Sequence, residues 1–201
     1  MRGVSHPVEL VVPISLYRVN EQLHTVLKDY KRSPSPRVRE RHRWQVGAIL
    51  HRFTYHHRQC IVGAAGMDWD TVTIVPTKTG REGPHPLEEA IKLGEPLGSE
   101  FLRLLEPAEV DGIERATSSD SGFQATNDAP GRNVLLLDDT FTSGATFQSA
   151  ASALALGGAV VVGGVVIGRV IDTANPDYPE KLELWEQQRG EPFSFDVCCL
   201  E

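Results

Sequence analysis

Two adjacent carboxylates, Asp138-Asp139, are followed by Thr140-Phe141-Thr142-Ser143-Gly144-Ala145-Thr146, a run rich in small and hydroxyl-bearing residues. Ionised carboxylates only accept hydrogen bonds, so the pair suits the vicinal hydroxyls of a sugar better than it suits an anion. The stretch after the acids suits an anion. Backbone N–H groups at a helix start are unpaired and carry partial positive charge, and Thr142, Ser143 and Thr146 can add hydroxyl donors. Gly144 lets the backbone approach a ligand closely. Hydroxyls on one side and a phosphate on the other describe a ribose 5-phosphate.

The elements that must position these groups are legible on either side of them. Val134-Leu135-Leu136-Leu137 reads as a strand covered on both faces, as in a parallel sheet, and the acids then fall at its carboxyl end, where open α/β sheets bind ligands. Phe147 to Leu154 is helix-compatible, which completes a strand, a tight loop and a helix N-terminus. Residues 145–168 carry no charge and are numerous enough to suggest a membrane span. Gln148, Ser149 and Ser152 polarise the first half, Gly157-Gly158 interrupts it, and residues 159–167 are rich in valine. A helix, a glycine stop and a buried parallel strand account for this better than a membrane helix.

Other phosphate and nucleotide sites are poor fits. No glycine-rich turn leads into Lys-Ser or Lys-Thr, as a Walker-type loop requires, and Gly157-Gly158 and Gly163-Gly164 have the wrong spacing for a dinucleotide fingerprint. The chain has 201 residues, 40% hydrophobic and 23% charged, which suits one soluble globular domain spanning 1–201. Cys60, Cys198 and Cys199 are few and odd in number, which favours a reducing compartment; with no apolar leader at the N-terminus, a cytoplasmic location is expected. On paper His57, Cys60, Cys198 and Cys199 make four zinc ligands; buried thiols in closing strands are the plainer expectation.

The net charge of −7 conceals a division. Residues 28–58 hold nine Lys or Arg against Asp29 and Glu40, and the rest of the chain is acidic. This basic segment is either a solvated helix face or a surface for nucleic acid or a second anionic substrate.

Along the chain, strands are expected at 9–14, 71–76, 113–116 and 193–197. Helices are expected at 16–30, 39–55, 86–92, 97–105 and 180–188. After the strand Thr71-Val72-Thr73-Ile74-Val75-Pro76 comes the polar, basic turn Thr77-Lys78-Thr79-Gly80-Arg81. Residues 117–132 are polar and read as a long mobile loop of the kind that acts as a lid.

The strand, Asp138-Asp139-Thr140 and Thr142-Ser143-Gly144-Ala145-Thr146 together resemble the phosphoribosyl pyrophosphate (PRPP) signature of type I phosphoribosyltransferases. The resemblance covers about thirteen contiguous residues. It implies an α/β fold with a central, mostly parallel sheet flanked by helices and a hood built from terminal segments, here residues 172–201. It implies transfer of a phosphoribosyl group from PRPP to a nitrogen acceptor with release of pyrophosphate. In that scheme Asp138 and Asp139 are catalytic, orienting the ribose and favouring its developing positive charge. Thr140, Thr142, Ser143, Gly144, Ala145 and Thr146 bind the 5′-phosphate, while Lys78 and Arg81 hold the leaving pyrophosphate, assisted by Thr77, Thr79 and the Gly80 backbone. Mg²⁺ would bridge ligand oxygens and be held through PRPP and water, with no protein ligand assigned. The loop at 117–132 corresponds to the family's closing loop. Leu27-Lys28-Asp29-Tyr30-Lys31 is similar to the ComF-like branch, although the N-terminal cysteine ribbon common there is absent. The alternative is a PRPP-binding regulator or nucleic-acid-associated protein without turnover. The acceptor, a general base and the oligomeric state, a homodimer included, are left open.

Overall fold

Among the described residues four parallel strands form the central sheet in the order β1-β6-β5-β2. They are β1 (Val11–Tyr17), β2 (Thr71–Ile74), β5 (Asn133–Phe141) and β6 (Val160–Val170). The computed structural model describes residues 3–77, 83–108, 118–173, 180–190, 193–197 and 199–200. A small antiparallel pair, β3 (Leu105–Pro107) with β4 (Phe123–Ala125), lies outside the main sheet.

Both sheet faces are covered, which is what the unbroken apolar run at 134–137 requires. Side chains alternate along a strand, so Leu135 and Leu137 face one way and Val134 and Leu136 the other. Leu135 and Leu137 pack in a core with Val12, Val165 and Ile167, closed by Leu27 and Tyr30 of α1 (Gln22–Arg32) and by Leu50, Phe53 and Ile61 of α2 (Pro36–Ala65). Val134 and Leu136 pack in a second core with Val166 and with Phe147, Ala150, Ala151 and Leu154 of α5 (Ala145–Leu156), which Phe123 of β4 joins. Gly164 of β6 makes room for this second layer, since a Cβ there would collide with the Phe147 ring.

The helix expected at 39–55 is longer. Pro36 occupies its first turn, where a missing N–H costs nothing, and Gly66 at φ 76° ends it with an N–H to Val62 O bond of 2.8 Å. His56-His57-Arg58-Gln59-Cys60 therefore lies inside α2 rather than after it. β1 runs through Pro13 to Tyr17, beyond the expected end at 14. Among the described residues it pairs only with β6, so the missing proline N–H falls on a sheet edge.

Between β2 and β3 lie α3 (Pro86–Ile91) and the four-residue α4 (Leu97–Glu100), and the chain from Phe101 turns towards β3 instead of continuing as helix to 105. The buried Glu88 carboxylate of α3 is satisfied by Arg103 at 2.7 Å and Lys92 at 2.6 Å. α6 (Glu180–Arg189) matches the late helix expected at 180–188. Residues 193–197 are not a strand; Phe195 instead packs on α2, where Arg52 stacks over its ring at 4.5 Å. The strand expected at 113–116 falls outside the described residues.

The segment expected to be a mobile lid is anchored over most of its length. Phe123 and Ala129 are buried, β4 pairs with β3, and the Gly131 N–H donates to Gly158 O at 2.8 Å. Its polar composition conceals those two apolar anchors. Residue 117, with the whole of 109–117, is outside the described residues. Among the described residues no helix is long and apolar enough to cross a membrane.

Candidate functional site

Asp138 and Asp139 lie within β5, which continues to Phe141. Period-two alternation therefore sends the two carboxylates to opposite faces of the sheet. Asp138 shares the face of Leu136 and α5; Asp139 shares the face of Leu137 and meets α1. Asp138 is half-buried, and its Oδ1 accepts from the Asp139 N–H at 2.8 Å. Asp139 is 1% exposed: the Tyr30 hydroxyl donates to its Oδ2, and Lys31 Nζ lies 2.5 Å from the same oxygen.

Burial pushes the Asp138 carboxyl up to about 6, opposed by the Lys31 ammonium and by the N–H groups of Asp139 and Thr140. Burial likewise raises Asp139, to about 7, opposed by a hydrogen bond with the Thr140 side chain. The Tyr17 phenol, 4% exposed, is also raised, first by burial and then by the negative charge of Asp139 and Asp138, while its hydrogen bond to Thr140 acts the other way. The Tyr17 ring lies over Gly168, where a Cβ would stand 2.6 Å from Cε1.

Beyond the acids, Thr142 and Ser143 are exposed and Gly144 caps α5 with φ 78°. The Ser143 hydroxyl accepts from the Ala145 N–H at 3.4 Å, and the Gln148 N–H returns to Gly144 O at 2.9 Å, so helical pairing starts at once. The first-turn N–H groups of a 12-residue helix thus meet the turn directly after the acids. Phe141 and Phe147 meet edge to face at 5.9 Å beneath the turn. Together Lys31, Asp138 to Thr146 and Phe147 line one cavity that is open to solvent.

Of the residues assigned to a pyrophosphate loop, Thr77 is exposed and follows β2 on the same carboxyl edge. The Val75 N–H to Leu137 O bond of 3.1 Å extends the β2–β5 pairing towards it. Lys78, Thr79, Gly80 and Arg81 lie outside the described residues. Tyr17, Tyr30 and Lys31 were not among the expected site residues. Tyr30-Lys31 belongs to the segment that carried the ComF-like resemblance, but Tyr30 is 109 positions from Asp139, and no local pattern links them.

Of the four zinc ligands drawn on paper, the described residues bring His57 and Cys60 together, and Cys60 lies in α2 rather than in a closing strand. His57 Nε2 donates to Phe195 O at 2.7 Å, which leaves Nδ1 to face the Cys60 thiol at 3.6 Å. Cys199 is exposed, and among the described residues no three His, Cys, Asp or Glu side chains form a metal-holding group. Cys198 is outside the described residues. In the region expected to be a hood, Trp185 of α6 lies under Arg18, just past the carboxyl end of β1, at 5.8 Å. That places α6 on the edge of the sheet where the acids emerge.

No family model matches the chain, and no curated protein matches it.

Proposed function

We propose that the chain is a PRPP-dependent phosphoribosyltransferase of the type I kind, acting on a nitrogen acceptor. The observation that carries this reading is the continuity of the site: a carboxylate pair at the end of a buried parallel strand runs without interruption into a glycine-capped helix N-terminus. Asp138 is the half-buried acid on the cavity side, suited to accept from a ribose hydroxyl. The α5 N-terminus and the Thr142, Ser143 and Thr146 hydroxyls are suited to the 5′-phosphate. A ribose held at both ends keeps C1 fixed while pyrophosphate departs, and the nearby negative charge favours the oxocarbenium character that develops there.

One half-buried carboxylate fits magnesium in the manner that ion prefers, with several waters retained and phosphate oxygens completing its shell. Asp138 is the residue that would hold it, directly or through water. When bound, the ion would neutralise charge on the departing pyrophosphate. The pyrophosphate contacts proposed for Thr77, Lys78, Thr79, Gly80 and Arg81 rest on the family resemblance.

The test is a screen of nucleobases, amides and amines with PRPP and Mg²⁺, reading pyrophosphate. Release that depends on one acceptor and disappears in Asp138→Asn supports the transferase. Saturable PRPP binding with no turnover across the panel favours a PRPP-binding regulator.

A second reading has its own observation. Much of the basic segment is engaged internally: Arg39 donates to Ser33 O, Arg43 pairs with Glu89, and Arg58 pairs with Asp68 and Glu100. Arg37, Arg41, Trp44 and Tyr55 nonetheless share one exposed stripe of α2, with Trp44 55% and Tyr55 78% exposed. Cations interleaved with aromatics suit single-stranded nucleic acid. Salt-sensitive binding of an oligonucleotide, lost in Arg37→Ala/Arg41→Ala/Trp44→Ala, would support the ComF-like alternative. Binding unchanged in that variant would remove it.

A further inference from the structure

Two carboxylates are a poor neighbour for a polyanion unless a cation stands with them. Among the described residues lining the cavity, Lys31 is the one cation. It sits at the end of α1, its side chain 27% exposed, its ammonium 2.5 Å from Asp139 Oδ2 and 5.6 Å from the centre of the Tyr30 ring. Tyr30 is fully buried and donates to the same carboxylate oxygen. The three groups form one assembly in which a buried acid fixes a lysine at the mouth of the cavity.

The strand geometry separates the two acids by task. Asp139 faces α1 with Leu137, and one of its oxygens is committed to Tyr30 and Lys31. Asp138 faces the turn and the α5 side. The α5 N-terminus lies on one face of the sheet and Lys31 reaches the cavity from the other, so the two are placed for opposite ends of an elongated ligand.

We propose that Lys31 is the ligand-contacting cation for the diphosphate end of the substrate, with Asp139 and Tyr30 as its positioning residues; this rests on the phosphoribosyl reading above. An ammonium carries three donors and can bridge a carboxylate and a phosphate oxygen, acting as a point charge. The second acid of the Asp-Asp pair then contributes chiefly by aiming Lys31, and the first by holding the sugar.

Calorimetric titration of the full chain with inorganic diphosphate, ribose 5-phosphate and PRPP, each with Mg²⁺, tests this. In Lys31→Met the affinity for diphosphate and PRPP should fall about tenfold or more, the value of one charge-assisted contact, while ribose 5-phosphate changes far less. Lys31→Arg keeps the charge and should restore most of the loss. Equal losses for all three ligands, or none for diphosphate, overturn the assignment and make Lys31 a scaffold residue. Should Lys31→Met not fold, Lys31→Gln carries the same comparison between ligands. Wild-type chain that binds diphosphate but not PRPP would overturn the phosphoribosyl reading and leave Lys31 as an anion contact. Wild-type chain that binds PRPP no better than Lys31→Met does would overturn Lys31 alone.

Discussion

The Phe141 ring fills the space that a side chain on Gly144 would need. Gly144 also holds φ 78°, a conformation that costs other residues free energy, so two independent constraints require glycine at the cap of α5. The ring is itself held by Phe147 from below and by Arg169, 6.0 Å from its centre, on the paired strand. Gly144→Ala must therefore strain the backbone or displace Phe141. The expected loss of stability is about 1–3 kcal/mol, measured by urea unfolding. Because the first-turn N–H groups would be re-aimed, ribose 5-phosphate affinity should fall as well. An unchanged affinity would show that the cap does not hold the phosphate.

The N-terminal residues are bound across α5 by side chains that the sequence presents only as polar. Ser5 donates to Asp120 from its N–H at 2.9 Å and its hydroxyl at 2.6 Å, and Ser152 donates to the same carboxylate at 2.5 Å. Val8 and the buried Gln148 exchange two bonds, of 2.8 and 2.9 Å. The hydrogen bonds from Ser152 and Ser5 hold the Asp120 carboxyl below its ordinary range. A lowered carboxyl contributes stability above its ordinary value of about 4 and loses it as pH falls through the lowered one. Asp120→Ala should bring that loosening to neutral pH. Amide exchange at Ser5 and His6 should then quicken, while the β5 amides stay protected. If Ser5 and His6 exchange no faster than in wild type, Asp120 is not what holds the segment.

The sheet core and the turn after the acids were legible because their signals are local: four apolar residues, two acids, a glycine, and small residues opening a helix. What escaped was whatever joins distant parts of the chain. The Asp-Asp pair looks like one unit in sequence, yet a strand that continues through it sends the two acids to different layers. Tyr30 and Lys31 read as the end of an amphipathic helix, and only the packing of α1 on the sheet brings them to Asp139. Gln148, Ser149 and Ser152 polarise an apolar stretch in sequence, yet they are buried, and Gln148 and Ser152 bind the N-terminal segment. Phe195 reads as strand-forming, but its carbonyl is taken by His57 of α2. In the last three cases a partner more than a hundred residues away decides the outcome, and periodicity carries no information over that range.

The raised carboxyl of Asp138 makes the site a source of instability that depends on pH. Its folded value, about 6, lies above the ordinary value of 3.8, so the folded chain binds the proton more tightly than the unfolded chain does. Between those values the native state holds more protons, and stability falls as pH rises through the window. The contribution is complete below about pH 4 and is lost by about pH 7. Lys31 and the N–H groups of Asp139 and Thr140 bear on this acid and offset part of the cost. Asp138→Asn removes the charge with little change of shape. It should therefore be more stable than wild type at pH 8, by up to about 3 kcal/mol, and near parity at pH 4. The same substitution should abolish PRPP-dependent pyrophosphate release, so that stability and function move in opposite directions. Urea unfolding at pH 4 and pH 8 with both chains distinguishes the outcomes. A variant less stable than wild type at pH 8 would mean that Asp138 is held by attraction rather than carried at a cost.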